Sequence, residues 1–138
     1  MSPTVLRIAT ACLLDGAGRL LVVRKRGTSL FMLPGGKLEV GETPRQALSR
    51  ELHEEIGLRI ESSQLQLLGH FKSRAANEPD HWVEADVFMG RLAGEVKAQA
   101  EIEALAWLEL NTQQQDHLAP LLHEQVLPAL LRRLAAEG

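Results

Sequence analysis

Three glutamates, Glu51, Glu54 and Glu55, are spaced i, i+3 and i+4 in a stretch, Thr43 to Ile56, that reads as a helix. At about 100° per residue, all three fall within an arc of about 100°. Carboxylates set side by side repel one another, so on a bare surface this spacing is mildly destabilising. Leu48, Leu52 and Ile56 form the adjoining apolar stripe, with Glu55 at its edge. The acidic arc therefore borders a buried face, where crowded carboxylates resist ionising unless a cation balances them. A hard divalent ion such as Mg²⁺ is the natural counterion, because it takes oxygen ligands and is commonly shared between carboxylates and substrate phosphates. Ala47 lies in the same arc and leaves room for a substrate. Arg50 falls on another side of the helix, where it can pair with a carboxylate and orient it from behind. A solvated, glutamate-rich helix is the bland alternative, and the parts around the helix decide against it.

Those parts are the elements that must position the acids. Thr43 is an N-cap residue, Pro44 suits the first helical position, Gln46 completes a capping box and Gly57 suits a left-handed stop. Upstream, Phe31-Met32-Leu33-Pro34-Gly35-Gly36 reads as an apolar approach to a tight turn, with glycines where the backbone must come close to an ion. Thr4–Leu14 and Leu20–Arg26 read as two strands of a hairpin around Asp15-Gly16-Ala17-Gly18. The second strand ends in Arg24-Lys25-Arg26, and Arg26 is the expected phosphate-facing cation. Leu65–Phe71 and Trp82–Leu92 read as further strands, with a loop over 72–80 between them, and Ile102–Leu110 as a weaker one. The C-terminal leucine stripe, Leu118 to Leu134, is interrupted by Pro128 and predicts two helices or a kinked one packed on the sheet. Strands and helices interleaved in this way suggest an α/β sheet with helices against it.

The run Gly36 to Leu58 resembles the Nudix box: Gly, five residues, Glu, seven residues, Arg-Glu-apolar, one residue, Glu-Glu, one residue, Gly-apolar. Every fixed position matches without a gap, which makes the signal far more specific than a lone glycine motif. The resemblance implies an α/β/α sandwich with a mixed sheet, the box helix and C-terminal helices packed on it, as one domain over residues 1–138. It implies Mg²⁺ or Mn²⁺ as cofactor and water attack on one phosphorus of a pyrophosphate linkage. On that basis Glu51, Glu54 and Glu55 are the expected metal ligands, helped by a backbone carbonyl at Gly35 or Gly36. Glu42 braces the loop or binds through water, and Arg50 orients its neighbours. The general base is either Glu51 or an acid outside the box. Glu101 is the candidate there, with Glu103 and Glu95 as alternatives. Arg26, Lys37, Arg74 and Phe71 are the expected substrate-binding residues; Phe71 or Trp82 would stack on a base, with packing in the core as the alternative for both.

Companion signals of the family narrow the substrate. ADP-ribose pyrophosphatases tend to carry a proline downstream of the box, where this chain has Ser73-Arg74-Ala75 and its nearest proline, Pro79, is displaced. The tyrosine typical of diadenosine polyphosphate hydrolases has no counterpart, since the chain contains no tyrosine. NADH-type and coenzyme-A-type motifs are also missing. These absences lean towards a nucleoside triphosphate, an oxidised or non-standard one included. Nucleotide-sugar or ADP-ribose hydrolysis is the alternative, and a non-catalytic sensing module, which would tolerate a degraded box, is a further one.

Bulk properties agree. The 138 residues are 45% hydrophobic and 24% charged, with formal net charge −3. A mildly acidic chain has no general electrostatic claim on nucleic-acid polymers or anionic membranes. Cys12 is the only cysteine and sits in an apolar run, so it reads as a buried hydrophobe. With no signal-peptide pattern and no long apolar stretch, the expectation is a cytoplasmic protein acting on a small nucleotide, with a homodimer open as a family trait.

Overall fold

In the computed structural model, which describes residues 4–75, 79–111 and 117–137, strand β1 (Thr4–Leu14) holds the centre of the sheet. Its sequence is nearly continuous apolar because both of its faces are covered. Cys12 and Leu14 point into one core cluster, with half-buried Ile8 packed against it. Ala9, Ala11 and Leu13 point into the other. β2 (Leu20–Lys25), β3 (Gly35–Lys37), β4 (Gln66–Arg74), β5 (His81–Arg91) and β6 (Ile102–Leu108) complete six strands. The order is β4-β5-β1-β2-β6, with β3 paired to β1 off this path. β1 and β5 run parallel over their full length, and the other pairs are antiparallel. The sheet is mixed, as expected.

Helix α1 (Pro44–Ile56) covers the alanine face of β1 through Ala47, Leu48, Leu52 and Ile56. Its predicted caps are all present. Thr43 and Gln46 form the capping box, Pro44 opens the helix, and Gly57 ends it at φ 69°. Gly57 N–H and Leu58 N–H close back onto the carbonyls of His53 and Leu52. The opposite face is covered by the C-terminal leucines Leu118, Leu121, Leu122, Val126, Leu127 and Leu130. Pro128 does not split this stripe into two helices. A π-helical turn, Leu122–Val126, runs straight into α2 (Leu127–Glu137), with Leu127 N–H bonding to Leu122 O. The wide turn lets the chain pass a residue that has no N–H to donate.

Three other expectations need correction. The hairpin is splayed: β1 and β2 share only the Leu14–Leu20 pair at the neck. Below it the segment Phe31–Lys37 is wedged between them. Met32 exchanges two hydrogen bonds of 2.8 Å with Val23, and Pro34 O accepts from Ala11 N–H at 3.1 Å. Gly35, Gly36 and Lys37 pair with Thr10, Ala9 and Ile8. What reads in sequence as an approach to a turn is thus a strand, β3. Gly35 is obligatory there, because a Cβ would lie 2.1 Å from Ala9 O and φ is +140°. Finally, β4 continues to Arg74, which shortens the expected loop over 72–80, and residues 76–78 of that loop lie outside the described residues. The thiol of Cys12 is fully buried, and burial pushes it up to about 12.

Candidate active site

The wedge brings the glycines against the acidic arc of α1. Glu55, only 6% exposed, accepts a hydrogen bond from Gly35 N–H at 2.9 Å. Burial pushes its carboxyl up to about 7, and the charges of Glu51 and Glu101 push the same way. The Gly35 N–H and Lys25 oppose them. Glu51 lies directly over Gly36, where a Cβ would meet its carboxylate at 2.5–2.7 Å. Glycine at 36 is therefore a cradle for that carboxylate. Glu54 stands at the rim, with its side chain 52% exposed.

Arg50 ties the site together from behind. Its guanidinium grips both oxygens of Glu42, at 2.8 and 2.9 Å, and donates to Glu51 Oε1 at 2.9 Å and to Lys37 O at 3.0 Å. Weaker contacts reach Glu54 at 3.5 Å and Glu39 at 3.7 Å. A planar fork suits this task as no ammonium can, since it binds a carboxylate in two places at once. Arg50, and then the backbone N–H of Glu39, hold the Glu42 carboxyl down at about 2. Glu42 in return raises the affinity of Arg50 for its proton. Glu42 thus braces the loop before α1.

A cleft of about 550 Å³ opens in front of these groups. Gly35, Gly36, Glu51, Glu54, Glu55, Glu101, Arg26, Lys37 and Arg74 all line it. Glu101 is anchored by its carbonyl, which accepts from Arg26 N–H at 2.8 Å. Of the alternatives, Glu103 is drawn away by Arg24, at 2.7 Å. Neither Glu103 nor Glu95 is among the lining residues. Arg74 reaches the cleft while paired with Glu124 at 2.9 Å. Phe71 is not among the lining residues: it packs, half-buried, on the core cluster that includes Leu127 and Leu130, which is the other of the two places expected for it. Its ring faces that cluster because Phe71 is in register with Ala85 of β5, which belongs to it. Trp82 is not among the lining residues either.

Two hydroxyl-bearing lining residues, Thr10 and Thr28, are not singled out by the sequence, nor is the apolar lining. Thr10 had a signal, as the one hydroxyl in the apolar run Ile8–Leu14. Thr28 had none, since its role in a turn to Lys25 O looks like any loop threonine.

The acids are collected but not converged. Among the described residues, no three acidic, histidine or cysteine side chains are drawn together as ligands of one ion. Glu51 is turned towards Arg50, and Glu55 towards Gly35 N–H. The donor set nevertheless fits a hard divalent cation. It offers carboxylate oxygens, a cradle kept open by Gly36, and a buried acid whose ionisation is opposed by its neighbours until positive charge arrives.

With this geometry established, likeness to known proteins can be set beside it. The family model for the NUDIX domain matches residues 5–130. A MutT-like protein of Streptomyces ambofaciens is 36% identical over 92 residues, which is 66% of this chain and 55% of that one. An ADP-ribose pyrophosphatase of Methanocaldococcus jannaschii is 28% identical over 109 residues, 75% of this chain and 62% of its relative. The chain thus spans a little over half the length of these two relatives. The fold is shared with the crystal structure of a MutT protein from Methanosarcina mazei, at TM-score 0.77 and 20% identity. That match covers 100% of this chain and 99% of the other.

Proposed function

Because this chain belongs to the Nudix family, we propose that it hydrolyses a phosphoanhydride bond in a nucleoside-diphosphate-linked substrate with Mg²⁺ or Mn²⁺. The substrate we favour is a nucleoside triphosphate, an oxidised or non-standard one included, cut to the monophosphate and pyrophosphate. The observation that carries the reading is the placing of buried Glu55 and cradled Glu51 at one end of a cleft whose rim also bears Lys25, Arg26 and Lys37. Acids that hold a cation and cations that hold phosphate meet at one place.

Glu51, Glu54 and Glu55, with a carbonyl of Gly35 or Gly36, would hold the ion. When bound, it supplies charge neutralisation at the phosphoryl group and lowers the pKa of coordinated water. The remaining work falls to the chain's own side chains. Lys25, Arg26 and Lys37 bind phosphate oxygens. Arg50 fixes the direction of Glu51. Glu51 or Glu101 takes the proton as water forms the new P–O bond and the bridging P–O bond breaks. The reading includes a small-molecule partner and a cytoplasmic location, and leaves a homodimer open as a family trait. Among the described residues no helix is long and apolar enough to cross a membrane.

The name of the archaeal relative keeps ADP-ribose as the second reading. The test is a panel of nucleoside triphosphates, oxidised nucleotides, ADP-ribose and nucleotide sugars with each metal, reading pyrophosphate or phosphate from the triphosphates and the nucleoside monophosphate and sugar phosphate from the others. We expect turnover of a triphosphate with pyrophosphate release. Turnover confined to ADP-ribose or sugar nucleotides would give the second reading precedence, and no turnover of any member would overturn both.

A further inference from the structure

The cleft has two chemically distinct ends. Away from the acids and cations its wall is apolar, including Leu6 and Ile8 of β1, Val83 of β5, and Leu121 and Leu122 before α2. Thr10 interrupts this wall. Its side chain is on the same face of β1 as Ile8 and Cys12, it is 5% exposed, and it lines the cleft. Its lateral neighbours are Val87 on β5 and Gly35 on β3, neither of which has a polar side chain. Among the described residues, Thr10 Oγ1 is the only buried side-chain nitrogen or oxygen without a hydrogen-bond partner.

An unpaired hydroxyl in such a place is costly, because it loses water and gains nothing. Packing does not require it. Valine has the same branched shape and the same preference for a strand. The cost makes sense where a ligand completes the bond, as a site built to pair one polar group discriminates strongly against ligands that lack it. A ligand that fits must combine phosphates at the acidic end with a flat, apolar-faced group whose edge is polar.

We infer that Thr10 is a specificity-determining residue whose hydroxyl hydrogen-bonds the edge of the substrate's nucleobase. This rests on the nucleotide reading above for the identity of the flat group. Thr10 touches no reacting atom, so its contribution belongs to binding and selection.

The test compares wild type, Thr10→Val and Thr10→Ser in two arms. In the first, kcat and KM are measured with the best nucleoside triphosphate of the panel and with ribose 5-triphosphate, which lacks a base. Loss of one neutral hydrogen bond predicts a roughly 5- to 10-fold rise in KM for the nucleotide in T10V, with kcat unchanged. T10S restores the KM, the base-free compound is indifferent to both variants, and the melting temperature of T10V is equal to or above that of wild type. In the second arm, calorimetry measures binding of the corresponding nucleoside monophosphate, with the same 5- to 10-fold loss expected in T10V. An unchanged KM and affinity in T10V overturns the inference. So does an equal loss with the base-free compound, which would mark Thr10 as structural. Failure of wild type to bind any nucleotide also overturns it. Thr10-dependent binding without hydrolysis sinks the proposed reaction and leaves this inference standing, and hydrolysis without Thr10 dependence does the reverse.

Discussion

The two ends of the cleft are built by different means. The acidic end comes from one stretch of chain, residues 35–55, in which a capped helix and a three-residue strand face each other. Its parts are cross-linked by charge-assisted hydrogen bonds through Arg50 and Glu42. The apolar end is gathered from β1, β5 and the segment before α2; strand pairing fixes its backbone, and its side chains, Thr10 apart, are held by packing. Directional bonds fix a few atoms within tenths of an ångström, as metal and phosphoryl chemistry requires. Apolar packing fixes shape and leaves the choice of occupant open to small substitutions. One end is thus suited to a constant reaction, and the other to a variable substrate.

The largest test of this contrast removes charge at the acidic end. Glu55→Gln and Glu54→Gln should each lower kcat by about 10² to 10⁴ with Mg²⁺, since each removes a carboxylate ligand. The protein should stay folded, and Glu55→Gln should be at least as stable as wild type above pH 7. Wild-type turnover in both variants would remove the metal assignment. At the apolar end, Leu122→Ala should cost roughly 2–4 kcal/mol in chemical denaturation, because a side chain only 1% exposed leaves a cavity. Its kinetic effect should fall on KM. A kcat loss as large as that of Glu55→Gln would erase the division of labour between the two ends.

Arg50→Lys comes next. An ammonium cannot grip both oxygens of Glu42 and reach Glu51, so turnover should fall roughly 10- to 100-fold despite the retained charge. Equal activity would show that Arg50 is only a counter-charge.

The smallest effect is on pH. The Glu55 carboxyl, about 4.5 ordinarily, stands at about 7 in the folded protein. Between those values the folded state holds the extra proton, so metal-free stability falls as pH rises through this window. The loss is on the order of 1–3 kcal/mol by pH 8 and absent below pH 4.5. Divalent cation removes the penalty, so the rise in melting temperature on adding Mg²⁺ should be larger at pH 8 than at pH 5.5. Glu55→Gln should flatten both trends, and an unchanged slope in that variant would assign the titration elsewhere.

The contrast also explains what could be read from sequence. α1 was legible to the residue because its signals are local: Thr43, Pro44, Gln46 and Gly57 act within a turn of one another. The acidic arc follows from that helix by geometry alone. β3 was not legible, since three residues containing two glycines carry no period, and their partner strand lies some 25 residues earlier. Glu101 could be named, but that it meets Arg26 depends on the pairing of β2 with β6. Phe71 was left between base stacking and core packing because an aromatic near the end of an expected strand has two faces to choose from, and the register with Ala85 puts it on the core face. The apolar end was largely unreadable, since nothing in the run containing Leu6 and Ile8 announces that Leu122 will sit across from it.

The wedge of residues 31–37 between β1 and β2 has a consequence for how the protein matures. The acidic end cannot exist while that wedge is out of place, because Gly35 and Gly36 meet Glu55 and Glu51 only when β3 is seated on β1. A refolding chain that has its helices and the rest of its sheet still lacks the acidic end until these glycines are seated. On the proposed reading, turnover should therefore not return ahead of the β3–β1 pairing, and a partly open chain holding exposed carboxylates should be silent rather than indiscriminate.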